Sequence, residues 1–214
     1  MSNVWEYFRD HQDDVLSWTW TTVWLAAVPL VVGLLLALPL GWLANRHRWS
    51  YPPLVTAAGL LYTVPSLVLF LVLPGILGTK ILDTLNVAVA LTVYTFALLV
   101  RTVADGLNSV EQQTLAAADA MGYTSRQRFF GVQLPLAVPV IGAGLRVAAV
   151  SNVSLISVAS IIGVPQLGSL FIIGNTNSQL TPILLGLILI VALALVFDVV
   201  ILGGIRLLTP WRRA

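Results

Sequence analysis

The sequence predicts an all-α, polytopic membrane protein with five transmembrane helices, its N-terminus outside and its C-terminus inside. Three observations carry this reading. Only 9% of the 214 residues are charged while 58% are hydrophobic, and mean hydropathy is +0.93; a water-soluble domain carries about 25% charged residues. The charges sit as punctuation between long apolar runs. The arginines collect in alternate connecting segments, the pattern of chains whose positive loops stay inside.

The elements follow in order from the requirement that a spanning helix holds about 20 apolar residues. Residues 1–16, MSNVWEYFRDHQDDVL, are polar and acidic without a basic start, unlike a cleaved signal peptide, and are expected to remain as an external segment. The stretches Val15 to Asn45 and Trp49 to Thr79 hold no charge and predict helices near 17–44 and 53–77. Thr84 to Val100 continues past Arg101 as a helix near 84–106. After Arg146 the uncharged run from Val147 to Phe197 is too long for one span, and Gly163-Val164-Pro165 and Gly174-Asn175-Thr176-Asn177 break it. Helices near 135–162 and 180–207 result, with a loop over 163–179 that has room for a short re-entrant piece around Leu170. The membrane domain is thus 17–207, followed by an internal tail, 208–214.

With the N-terminus outside, the internal segments hold Arg46, Arg48, Arg126, Arg128, Arg206, Arg212 and Arg213. The external ones hold only Arg9 and Lys80 beside Glu6, Asp10, Asp13, Asp14 and Asp83. Arg101 is placed to snorkel to the interface and Arg146 to face the bundle interior. Trp18, Trp20 and Trp24 at one end of the first helix, with Trp42 and Trp49 at the other, suit interfacial anchoring. Pro29, Pro39, Pro65, Pro74 and Pro139 fall inside spans, where neighbouring helices can satisfy the carbonyls they free.

The segment from Ser109 to Pro135 is the polar exception. A helix is expected from Glu111 to Met121, stopped by Gly122 in a left-handed cap. A second, Thr124 to Phe130, follows with Thr124 as N-cap, and Leu134-Pro135 turns the chain into the membrane. The spacing Ala117-Ala118, Gly122, Val132, Leu134-Pro135 resembles the EAA loop of ABC-importer permeases, which reads Glu-Ala-Ala, three residues, Gly, nine residues, Ile, one residue, Leu-Pro. Ala116 stands in place of the glutamate and Val132 in place of the isoleucine, while Asp119 lies nearby on the same helix. The resemblance implies that Ala117, Ala118, Asp119, Gly122, Val132, Leu134 and Pro135 meet a separate ATPase and pass its motion to the spans. Leu99 to Leu107, Ala120 to Arg128, Val138 to Arg146 and Ile161 to Gly168 resemble the permeases for glycine betaine, carnitine, choline or proline betaine. The methionine-type permease shares the five-span layout.

The resemblance further implies a bacterial inner-membrane location and several partners. These are ABC ATPase subunits that bind ATP and magnesium, a second permease copy or homologue, an extracytoplasmic solute-binding protein, and lipid. The chain has no G-x-x-x-x-G-K-[ST] loop and no visible catalytic constellation, so it is expected to be no enzyme and to hold no cofactor. No nucleic-acid role is expected of charges that only punctuate apolar runs, and the absence of cysteine excludes thiolate metal sites. His11 and His47 lie in polar flanks and are not expected to bind metal.

Polar residues within spans are the remaining candidates. Ser151, Asn152, Ser154, Ser157 and Ser160 recur at helical spacing in the fourth span. They read equally as a pathway wall or as small-residue helix packing. Tyr62, Pro65 and Ser66 in the second span are similar. Asp198 is the one carboxylate well inside a span and is expected to pair structurally. An ion-driven carrier usually shows internal repeats and midplane ionisable groups, and five spans with a single interior carboxylate match that poorly.

Overall fold

The computed structural model describes residues 4–46 and 49–213. Met1–Asn3, His47, Arg48 and Ala214 lie outside the described residues. With them go the internal charge expected of Arg48, the role denied to His47 and the extreme ends of the two predicted tails; the side chains of Arg212 and Arg213 lie outside as well. All regular structure among the described residues is helical: α1 Val4–Asp10, α2 Gln12–Arg46, α3 Tyr51–Thr63, α4 Ser66–Leu77, α5 Thr84–Asn108, α6 Gln112–Ala120, α7 Ser125–Arg128, α8 Leu134–Val158, α9 Ser169–Thr176 and α10 Leu180–Leu208. A π-helical turn, Phe129–Gln133, precedes α8, and 3₁₀ turns occupy Ala159–Ile162 and Pro210–Arg213.

Among the described residues, four stretches are long and apolar enough to cross a membrane: Gln12–Arg46, Thr84–Asn108, Ser125–Ile162 and Leu180–Leu208. The pair α3 and α4 makes a fifth if it counts as one broken span. The chain is therefore an all-α, largely membrane-spanning protein. One expectation fails here, because the helix predicted over 53–77 is interrupted at Val64-Pro65. Pro65 is extended, with φ −61° and ψ 131°, and caps α4 instead of continuing α3. Its ring disfavours the helical conformation for the residue before it. Pro29, Pro39, Pro74 and Pro139 stay inside helices.

The chain divides into two compact units. The first comprises the described residues of Met1–Val32, Val64–Val93 and Ala149–Asp198. Its core gathers Leu25, Phe70, Leu91, Val153, Ile156 and Val164. A second cluster, Val15, Leu167, Leu170 and Leu185, receives Val4, Tyr7 and Phe8 from α1. Those three sit on one helical face, so the acidic segment folds onto apolar neighbours instead of trailing free. α2 begins five residues before the predicted boundary because Asp13 and Asp14 fit its first turn, where the helix dipole favours negative charge. Thr19, Thr21 and Thr22 donate to the carbonyls of Val15, Ser17 and Trp18, which satisfies their hydroxyls inside the helix.

The expected loop over 163–179 is only partly irregular. Gly163 ends the 3₁₀ turn at φ 89°, Val164 to Leu167 cross without regular structure, and α9 then forms around the buried Leu170. Gln166, fully buried, holds this corner. Its Oε1 accepts from the Gly168 N–H at 2.6 Å, and its Nε2 donates to the Ser157 carbonyl at 3.4 Å. The Leu167 N–H donates to Thr22 Oγ1 at 3.1 Å.

The second unit comprises the described residues of Gly33–Thr63, Tyr94–Ala148 and Val199–Ala214. Its helices approach closely at glycine. A Cβ on Gly41 would stand 2.6 Å from Val103 Cβ, and one on Gly144 would collide with the Thr102 side chain.

Candidate functional site

Residues 111–135 form a helix, a tight turn and a second short helix that runs into α8, all within the second unit. α6 starts after the extended Glu111 and ends one residue short of the predicted Met121. Its end is a Schellman motif. The Tyr123 N–H donates to the Ala118 carbonyl at 3.2 Å and the Gly122 N–H to the Asp119 carbonyl at 3.0 Å, with Gly122 at φ 83°. Thr124 then caps α7 in a reciprocal box with Gln127. Both the stop at Gly122 and the cap at Thr124 match the sequence expectation.

The expected turn at Leu134-Pro135 is absent. Leu134 is helical, with φ −64° and ψ −48°, and its N–H reaches back to the Phe129 carbonyl. The chain passes from α7 through the π turn into α8 without leaving the helix. Proline lacks an N–H and its ring crowds the carbonyl four residues earlier. The widened turn lies directly before Pro135 and absorbs that mismatch.

The candidate residues of this segment take different roles. Ala117 is exposed, as are Ala116 and Ala120, while Ala118 is 1% exposed and packs inward. The smooth face expected from Ala117-Ala118 is therefore made by Ala116 and Ala117, extended by Met121, which is 69% exposed. Asp119 pairs with Arg128 Nη1 and ties α6 to α7. Val132, Leu134 and Pro135 are half-buried in the turn and the first residues of α8.

Beside this segment a cleft of about 1070 Å³ opens, with Trp42, Asn45, Arg46, Arg126, Phe129 and Gln133 among its walls. Trp42 meets Phe129 edge-on at 6.1 Å, and the Arg46 guanidinium lies 5.2 Å above the Trp42 ring. An amide cluster lines the same cleft. Gln133 Nε2 donates to Asn45 Oδ1 at 3.1 Å and to the Leu107 carbonyl at 3.3 Å, and Asn45 Nδ2 donates to Asn108 Oδ1 at 2.7 Å. A second tie links the Tyr51 hydroxyl to Asp105, which also pairs with Arg101 at 3.5 Å. The sequence reading missed Gln133, Asn45 and Asn108. The only local signal was a lone polar residue between Val132 and Leu134, at the position the EAA pattern leaves unspecified.

The polar candidates elsewhere are more ordinary. Tyr62 meets Tyr94 edge-on at 5.7 Å in the second unit; Pro65 and Ser66 belong to the first. Along α8, Asn152 is buried, Ser151 and Ser157 half-buried and Ser154 exposed, and Ser160 is buried in the 3₁₀ turn that follows. The Ser157 and Ser160 hydroxyls each donate at 2.6 Å to the carbonyl three residues earlier, so their protons are spent on their own helix. Asp198 is half-buried and engaged by a neighbouring group, as is Arg146. No three His, Cys, Asp or Glu side chains gather as metal ligands among the described residues.

Residues 30–213 match the family model described as the binding-protein-dependent transport system inner membrane component. The osmoprotectant import permease protein OsmW of Salmonella typhimurium is 33% identical over 90% of this chain and 90% of its own length. The choline transport system permease protein OpuBB of Bacillus subtilis is 27% identical over 98% of this chain and 95% of its own. In fold, the chain is similar to the MetNI methionine ABC transporter, with a TM-score of 0.81 at 20% identity over 98% of this chain and 100% of that one.

Proposed function

The chain belongs to the family of binding-protein-dependent transport system inner membrane components, as an ABC-importer permease subunit, and from that premise we propose that it imports an osmoprotectant of the glycine betaine, choline, carnitine or proline type. It is a multi-pass inner-membrane transport subunit that forms part of a translocation pathway, and ATP hydrolysis belongs to its ATPase partners. The substrate class is supported by the named activity of a relative that shares a third of its residues over nine-tenths of both chains. A methionine-type importer is the second reading. The likeness that favours it, at 20% identity, is one of fold alone.

In this proposal α6 and α7 are the coupling segment. The Schellman-terminated α6 presents Ala116, Ala117 and Met121 outside the predicted spans, and an exposed apolar face with small residues suits close docking against an ATPase groove. The N-terminus lies outside, with 1–16 external, 17–207 in the membrane domain, 109–135 as the coupling loop and 208–214 internal. The charge division supports this orientation. Arg46, Arg126, Arg128 and Arg206 lie in the segments placed inside, against only Arg9 and Lys80 in those placed outside. A second permease, paired ATPases, a solute-binding protein and lipid complete the working assembly. Tyr62, Pro65, Ser66, Ser151, Asn152, Ser154 and Ser157 remain its candidate pathway residues.

Gentle solubilisation of a tagged chain should bring down an ATPase. Deleting the chain should abolish high-affinity glycine betaine uptake under salt stress and leave methionine uptake intact. Loss of methionine uptake with betaine uptake preserved would assign the second reading instead.

A further inference from the structure

We propose that Gln133 is a positioning residue for coupling, a side-chain latch through which movement of α6 and α7 reaches the ends of α2 and α5. Four observations carry this. First, Gln133 is only 9% exposed although Phe130, three residues before it, is 66% exposed. A buried amide persists where it has partners, and those of Gln133 lie on two other helices: Asn45 on α2 and the Leu107 carbonyl on α5. Asn45 in turn donates to Asn108, so the three amides join the last residues of α2 and α5 to the entry of α8.

Second, Gln133 closes the π turn, and Pro135 follows two residues later. At that point the backbone's own bonding pattern is irregular, and π turns inside α-helices are frequent at functional sites. The side-chain amide supplies a fixed point where the regular ladder does not. Third, Asn45, Asn108 and Gln133 line the cleft of about 1070 Å³, so the segment has open space beside its tether. Fourth, the Trp42 and Phe129 rings make a second contact between the same two elements, but an edge-on aromatic contact slides more freely than a pair of directed hydrogen bonds. The amide therefore sets how far α2 and α5 follow when α7 moves.

This inference rests on the reading of α6 and α7 as the ATPase-docking segment. The test uses the complete transporter, co-purified with its ATPase and binding protein and reconstituted in liposomes, with radiolabelled glycine betaine as the probe. ATP hydrolysed per solute moved is the readout, because a residue needed only for folding lowers both quantities together. Gln133→Leu keeps the volume and removes both bonds; it should raise that ratio about tenfold, the effect of one to two net hydrogen bonds, with ATPase co-purification unchanged. Asn45→Leu, which leaves the bond from Gln133 to the Leu107 carbonyl, should raise it less, and the double variant should be no worse than Gln133→Leu alone. Gln133→Met serves as the second probe if the leucine variant folds poorly. A wild-type ratio in Gln133→Leu or Gln133→Met, or additive defects in the double variant, would overturn the latch while leaving the function intact. A wild-type chain that captures no ATPase would sink the parent reading and the latch with it.

Discussion

Gly122 is the residue at which the proposed coupling role meets a cost that the structure allows to be worked out. It sits at φ 83°, and a Cβ built on it would have no heavy atom within 4 Å. Steric crowding by neighbours therefore contributes nothing to the penalty of substitution there. What remains is the backbone: a left-handed conformation costs an L-residue about 1–2 kcal/mol, more for a β-branched one. Two turn-closing bonds, from Gly122 to Asp119 and from Tyr123 to Ala118, depend on that conformation. A shift of that size lowers the native turn against its alternatives by roughly five- to thirtyfold.

Gly122→Val should thus leave insertion and the buried cores unchanged, because the turn lies in neither, while uptake by the reconstituted complex falls by about that factor. Gly122→Asn should recover most of the loss, since asparagine tolerates the left-handed region, and Gly122→Ala should lie between. Gly131→Val is the control. Its Cβ would make an ordinary 3.8 Å contact with the Tyr123 ring, in a residue without positive φ. Equal defects in the Asn and Val variants would show that backbone conformation is not the cause. Wild-type uptake in both Gly122→Val and Gly131→Val would reduce residues 111–135 to a surface loop.

Other expectations follow from the same geometry. Cysteine placed at the exposed Asp10 should react with an impermeant reagent in intact cells and cysteine at Trp211 should not, on a background free of native cysteine; the opposite labelling would reverse the orientation. Gly144→Val should lower thermal stability in detergent by about 1–3 kcal/mol through overpacking against Thr102, and Thr102→Ala should relieve part of it; no relief would place the strain elsewhere. Asp119→Asn removes the half-exposed pair with Arg128 and should cost less than about 1 kcal/mol, a difference that added salt should shrink. A salt-independent loss in a thermal melt would mean that the carboxylate does more than pair.

The sequence by itself determined the membrane class, the approximate spans, the left-handed stop at Gly122 and the cap at Thr124. Each of these depends on residues within a few positions of one another. Burying an apolar run in lipid, giving a turn a residue without a Cβ, and pairing Thr124 with Gln127 are local free energies, readable wherever the residues stand. It did not determine which of five prolines would break a helix. Pro65 does, while Pro29, Pro39, Pro74 and Pro139 do not, because a helix survives proline where its surroundings satisfy the freed carbonyls. Nor could it tell Ala117 from Ala118, since burial of one and exposure of the other depends on what packs beneath α6. Asn45, Asn108 and Gln133 were invisible for the same reason. Their bonds join positions 63 and 88 residues apart, and an amide becomes a tether only once tertiary packing removes water and brings its partner within hydrogen-bond reach.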